Sequence, residues 1–255
     1  MTERRNSETE GRLGAGGAEI AWRRTAGRGP TIIWLGGFRS DMTGTKAEAL
    51  AEWAAAQDRD FLRFDYFGHG ISDGRFESGT VTRWRADALA VLDTLTQGPV
   101  ILVGSSMGGW LACLVALARP TRIGGLLLIA PAADFTERLI APGLSRKAKE
   151  ALRRDGVWRR PSAYDPQGYP ITRQLLEDGA RWSILPGPVP IEAPVRVLQG
   201  GADAEVPWRH ALDLALAIKS EDLVFSLIRD GDHRLSRPED LARVTAFAAE
   251  LASRG

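Results

Sequence analysis

The sequence predicts an α/β fold, with one mostly parallel central sheet flanked by helices and a small helical cap inserted into it. Three observations lead there. Short apolar runs alternate with longer segments of helical period, the pattern of successive βα units. The length of 255 residues fits one large domain, which buries enough surface to hold a core without cross-links. A single proline-dense stretch, residues 132–193, interrupts the alternation.

The elements follow in order. Residues 31–35 (TIIWL) read as a buried strand ending in Gly36-Gly37, and 46–56 as a helix of strong formers with an apolar face. Residues 61–64 form the next strand, running into Asp65 and the turn-rich FGHGISDG. Residues 81–95 carry apolar positions at helical spacing, and 100–103 are a strand bounded by Pro99 and Gly104. Residues 107–118 are apolar nearly all round, which predicts a buried helix, stopped by Pro120. Residues 125–130, 195–198 and 223–228 are further strands, with helices over 208–219 and 238–253.

Within 132–193 no segment reads as a strand. Helical fragments at 145–154 and 172–182 are separated by prolines, with Trp158, Tyr164, Tyr169 and Trp182 interleaved. The stretch is expected to be a cap over the C-terminal edge of the sheet, because long insertions in compact domains are usually functional. The first fifteen residues read as a loose polar tail, leaving 16–255 as the domain.

Composition narrows the function. Lys plus Arg number 33 against 32 Asp plus Glu, a net charge of +1 with no long like-charge block, so a nucleic-acid partner is not expected. No run nears the roughly eighteen apolar residues of a membrane span, so no integral membrane segment is expected. Arg4 and Arg5 are followed by no apolar stretch, unlike a secretory signal, and the nearby glutamates are unlike a transit peptide. The single cysteine, Cys113, cannot form an internal disulfide, and the cytoplasm is the default location.

Gly104-Ser105-Ser106-Met107-Gly108 fits G-x-S-x-G with Ser106 at its centre, between a β-branched strand and an apolar helix. A serine projecting from so sharp a turn needs small neighbours two residues away on each side; Ser105 lacks them. Of the three histidines, His233 lies on a loop between the last strand and the last helix, where a general base belongs. His210 near a helix start reads as a surface residue, and His69 as a loop histidine or pocket wall. Asp203, on the loop after strand 195–198, suits the carboxylate that orients the imidazole, ahead of its rivals Glu205 and Asp232. The oxyanion donors are expected to be the backbone N–H groups of Met107, after the nucleophile, and Phe38, after the Gly36-Gly37 bend.

At these motifs the chain resembles the α/β-hydrolase superfamily, and within it the group of the mitochondrial palmitoyl-protein thioesterase and mycophenolic acid acyl-glucuronide esterase. The matching stretches are 37–46 (GFRSDMTGTK), 63–66 with Gly68-x-Gly70-x-Ser72-Asp73-Gly74, and Trp84-Arg85-x-Asp87. They continue through 101–110 (ILVGSSMGGW), Gly156-Val157-Trp158 with Pro161-Ser162, Val206-Pro207-Trp208 and Asp232-His233-Arg234. The resemblance implies the α/β-hydrolase fold, Ser106, Asp203 and His233 as triad, and Phe38 and Met107 as oxyanion donors. The chain departs from the superfamily in carrying Gly36-Gly37 where many members have His-Gly, and it has no recognisable targeting segment.

The expected activity is serine hydrolysis of a carboxylic ester or thioester through an acyl-enzyme, on a small molecule or an acylated protein, with no cofactor and no metal. Alternatives are a non-catalytic binding protein on the same fold, or a serine peptidase or acyltransferase.

Overall fold

The computed structural model describes residues 8–161 and 166–254. In chain order the strands and helices of the first half are β1 (Glu8–Ala15), β2 (Ala18–Thr25), β3 (Arg28–Leu35), α1 (Thr45–Ala56), β4 (Arg59–Phe64), α2 (Val81–Leu95), β5 (Val100–Ser105), α3 (Met107–Ala118) and β6 (Ile123–Ile129). Then come α4 (Arg146–Asp155), β7 (Val157–Arg160), β8 (Tyr169–Thr172), α5 (Arg173–Ala180), β9 (Val195–Gly200), α6 (Trp208–Ala217), β10 (Leu223–Ile228) and α7 (Pro238–Ala252).

Among the described residues eight strands form one sheet in the order β1-β2-β4-β3-β5-β6-β9-β10. From β4 to β10 every pairing is parallel, while β2 runs antiparallel to both β1 and β4. Parallel strands covered on both faces read as continuous apolar runs, and here the period of two divides each run between two cores. Ile32, Trp34, Ile101, Val103, Leu127 and Ile129 face α1 and α7. Ile33, Leu35, Leu102, Leu126 and Leu128 face α2, α3 and α6. Each such side chain contributes about 1.5–3 kcal/mol on burial. Met107 through Ala116 of α3 are all buried, which explains a helix apolar on every side. Because β4 and β5 lie on opposite sides of β3, the loops leaving β3 and β5 diverge, and a crevice opens at their C-terminal ends.

Two segments differ from expectation. Of the expected polar tail, residues 1–7 lie outside the described residues, but 8–15 form the edge strand β1, in register with β2 from Glu8↔Thr25 to Ala15↔Ala18. Backbone pairing and side-chain polar contacts hold it, with only Leu13 and Ala15 packed partly buried against the core, too few apolar positions to announce a strand. The Gly16-Gly17 turn (φ 51° and 79°) closes the hairpin, Arg12 donates to the Ile71 carbonyl, and Glu8 pairs with buried Arg63 at 2.8 Å. Within 132–193, where no strand was expected, β7 and β8 form a separate antiparallel ribbon. At four residues each the two strands are too short to show a period, and Pro170 is tolerated because among the described residues each strand of the ribbon pairs on one side only.

Residues 132–193 leave the sheet after β6 and return to it at β9. Buried Asp134, itself left-handed (φ 53°), ties the start of this excursion to its end, accepting from the backbone N–H of Ile184 and Leu185 and from Ser183 Oγ. Among the described residues no helix is long and apolar enough to cross a membrane.

Candidate active site

Ser106 sits at the tight junction of β5 and α3 with φ 55° and ψ −119°, a left-handed conformation costing a non-glycine residue about 1–3 kcal/mol. The surroundings hold it there. Its N–H donates to the Ile129 carbonyl at 2.9 Å, and its own carbonyl accepts from Gly109 at 2.9 Å and Ala132 at 3.0 Å. The flanking glycines have a steric cause: a Cβ on Gly104 would stand 2.3 Å from the Gly108 carbonyl oxygen, and one on Gly108 2.0 Å from that of Leu35.

The loop after β10 brings His233 to this serine, with Nε2 3.1 Å from Ser106 Oγ and Nδ1 2.8 Å from Asp203 Oδ2. The Asp203 carboxylate is well supplied with donors. Oδ1 accepts the N–H of Glu205 at 2.9 Å and Val206 at 2.8 Å, and Oδ2 also accepts Gln199 Nε2 at 3.2 Å. Burial pushes this carboxyl upward, but the hydrogen bond and charge of His233, with the two backbone donors, outweigh it and hold the group below its usual range. An ionised Asp203 accepts only, so Nδ1 must carry the imidazole proton and Nε2 is left as the acceptor facing the serine.

Neither expected rival hydrogen-bonds the His233 ring, whose described partners are Asp203 and Ser106. Glu205 offers its backbone to Asp203, and Asp232 accepts the N–H of Leu235. His210, expected at the surface, is buried, with Nε2 2.8 Å from the Ala133 carbonyl; a single polar atom bound to a distant loop leaves no local trace in sequence. His69 is also buried, and it lies outside the cavity lining. No described hydrogen bond uses the backbone N–H of Phe38 or Met107, and both residues line the cavity beside Ser106. Met107 opens α3, where the first N–H groups of a helix have no internal acceptor.

This cavity, about 310 Å³, has two kinds of wall. Phe135, Leu139, Ile140, Tyr169 and Ile171, all from 132–193, make an apolar side with Phe38, whose ring stands 5.6 Å from Phe135 and 6.1 Å from Tyr169. Of the aromatics singled out in that stretch, Tyr169 lines the cavity, Trp158 does not, and Trp182 donates instead to Thr82 Oγ1 at 2.7 Å. Tyr164 lies outside the described residues. The lining also has a polar part, with Asp41, Lys46 and Arg234. Lys46 Nζ donates to the Arg234 carbonyl at 2.5 Å, and burial, with the Arg234 charge beside it, brings its amine down to about 8. Lys46 and Gln199 escaped sequence reasoning as site residues: Lys46 acts on a loop 188 residues away, and Gln199 sits inside an otherwise apolar strand, reaching the loop that follows it. Among the described residues no His, Cys, Asp and Glu cluster has the makeup of a metal site.

Comparison with known proteins agrees with this architecture. Residues 31–167 match the family described as serine aminopeptidase, S33. Over 87% of its length the chain is 40% identical to the mitochondrial palmitoyl-protein thioesterase ABHD10 of Mus musculus, covering 75% of that protein. The human counterpart is 36% identical, again over 87% of this chain and 72% of that one. A crystal structure from Agrobacterium vitis, designated a hydrolase without further assignment, superposes with a TM-score of 0.91 at 42% identity, covering 96% of this chain and 98% of that one. The structure of alpha/beta hydrolase domain-containing protein 10 from mouse gives 0.87 at 35% identity, covering 95% and 98%. With a family match over more than half its length and relatives this similar, the chain belongs to the α/β-hydrolase family of the serine aminopeptidase, S33, description.

Proposed function

We propose that the protein is a serine hydrolase that cleaves carboxylic ester or thioester bonds through an acyl-enzyme. Ser106 is the nucleophile, His233 the general base, Asp203 the orienting carboxylate, and the N–H groups of Phe38 and Met107 the oxyanion donors. One observation carries the reading: an unbroken hydrogen-bonded relay from Asp203 through His233 to Ser106, whose members lie 30 and 127 residues apart in sequence. It ends on a serine held in a strained turn.

In the acylation step Ser106 Oγ bonds to the substrate carbonyl carbon while its proton passes to His233 Nε2. The carbonyl oxygen takes up negative charge facing the two free N–H groups. Collapse breaks the bond to the leaving oxygen or sulfur, which takes the proton from His233. Water then repeats the sequence: its proton goes to His233, its oxygen attacks the acyl carbon, and Ser106 leaves with the proton as the acid departs. The apolar wall at 132–193 suits the acyl chain, and the polar wall by Lys46 the leaving group. Thioester hydrolysis is the activity named for the mouse and human relatives.

A panel of acyl-thioesters, acyl-glucuronides, simple p-nitrophenyl esters and aminoacyl amides, run beside fluorophosphonate labelling, tests the proposal. Labelling with turnover of esters or thioesters is expected. Hydrolysis of the aminoacyl amides alone would assign a peptidase instead, and neither labelling nor turnover would leave a binding protein on a hydrolase fold.

A further inference from the structure

The loop that leaves β3 carries the Phe38 N–H, and its shape is an unfavourable one. Ser40 N–H closes a turn onto the Gly37 carbonyl at 3.1 Å. The third residue of that turn is Arg39, at φ 58°, where glycine or asparagine is the easy choice. The Gly37 carbonyl and the Phe38 N–H belong to one rigid peptide plane, so whatever holds this turn also aims that N–H.

The holding group comes from the segment after β4. His69 Nε2 lies 3.3 Å from the Arg39 N–H, and His69 Nδ1 lies 3.2 Å from the Phe67 carbonyl. A carbonyl only accepts, so Nδ1 carries the proton and Nε2 receives the Arg39 N–H. The ring cannot tilt away, with Tyr66, Phe76 and Trp84 packed edge-on at 5.5, 5.0 and 5.3 Å. Phe76 and Trp84 also carry the Phe38 ring, at 4.8 and 5.9 Å. Asp65 gives a second tie, taking the Met42 N–H on Oδ1 at 2.7 Å and the Ile71 N–H on Oδ2 at 3.0 Å. Burial lowers the His69 imidazole to about 4, which keeps it neutral and its Nε2 an acceptor at neutral pH.

We propose that His69 is a positioning residue of the oxyanion hole, bonding the Arg39 peptide so that the strained turn directs the Phe38 N–H at the developing charge. The inference rests on the serine-hydrolase reading. His69 touches no substrate, so its removal affects the transition state and spares ground-state binding.

The experiment compares His69→Ala, His69→Asn and His69→Gln with the native enzyme, using a p-nitrophenyl ester and an alkyl boronic acid that mimics the tetrahedral species. The alanine and asparagine variants are expected to lose about tenfold to a hundredfold in kcat with KM within about twofold, less than full loss of an oxyanion donor. Their boronate inhibition constants should rise by the factor lost in kcat/KM. Glutamine, long enough to put an acceptor where Nε2 stood, should recover to within about threefold of native. Should the alanine variant not fold, the glutamine–asparagine pair carries the comparison. Equal kinetics and boronate affinity for these two would overturn the inference, as would a loss expressed in KM alone or a loss of turnover with native boronate affinity. A native enzyme that the boronic acid does not inhibit would instead bring down the serine-hydrolase reading itself.

Discussion

Replacing Ser106 by alanine is expected to lower kcat toward p-nitrophenyl esters by about 10⁵- to 10⁶-fold, the range in which loss of a nucleophilic serine falls elsewhere. The substitution removes only the oxygen 3.1 Å from His233 Nε2. The cavity and the proposed oxyanion donors stay, so a small residual rate over water is expected. Folding is the internal control. Alanine meets the φ of 55° at much the same steric cost as serine, and the backbone bonds to Ile129, Ala132 and Gly109 do not involve the hydroxyl. The melting temperature should therefore hold within a few degrees, since about 1 kcal/mol moves it only about 2–4 °C in a domain of this size. Fluorophosphonate labelling should vanish with the activity. Turnover that survives the substitution refutes the assignment of the nucleophile.

Asp203→Asn is expected to cost about 10³- to 10⁴-fold in kcat, through proton placement and not through shape. Oδ1 is fixed by the Glu205 and Val206 N–H groups, which need an acceptor. The asparagine oxygen must take that place, turning its NH₂ toward His233 Nδ1 and Gln199 Nε2. Nδ1 then becomes the acceptor, the proton moves to Nε2, and the imidazole presents a donor to Ser106 where a base is needed. The variant should fold, with kcat depressed far more than KM. Near-native turnover would remove Asp203 from the relay. Because the Asp203 carboxyl is held below its unfolded value, its contribution to stability is present above the usual carboxylate range and is lost as pH falls through the folded value.

What the sequence made legible is what repeats locally. Strands covered on both faces need mostly apolar runs, so β3, β5, β6 and β9 stand out, as does α3 with apolar residues around its whole circumference, and β10, partly exposed at the edge of the sheet, carries a similar run. The tight β5–α3 turn shows itself in Gly104 and Gly108, because only glycine avoids the carbonyls there. The segments that stayed hidden depend on partners far along the chain. β1 is a polar edge strand that borrows its backbone bonds from β2, and the β7–β8 ribbon has strands shorter than any period. His69 and Lys46 act through hydrogen bonds to Arg39 and Arg234, 30 and 188 residues away, and side-chain type alone does not tell where such a bond ends.

The edge strand β1 also bears on where the chain can be trimmed. A version beginning at residue 16, the obvious cut if the leader is taken for an idle extension, would strip the cover from β2 and leave a row of backbone donors and acceptors open to a neighbour. It would also take away Glu8, one of the two carboxylates neutralising Arg63, which is only 3% exposed. Self-association of the shortened chain, seen as early elution in gel filtration, is the expected outcome. A monodisperse, equally heat-resistant product would mean that the outermost strand is dispensable.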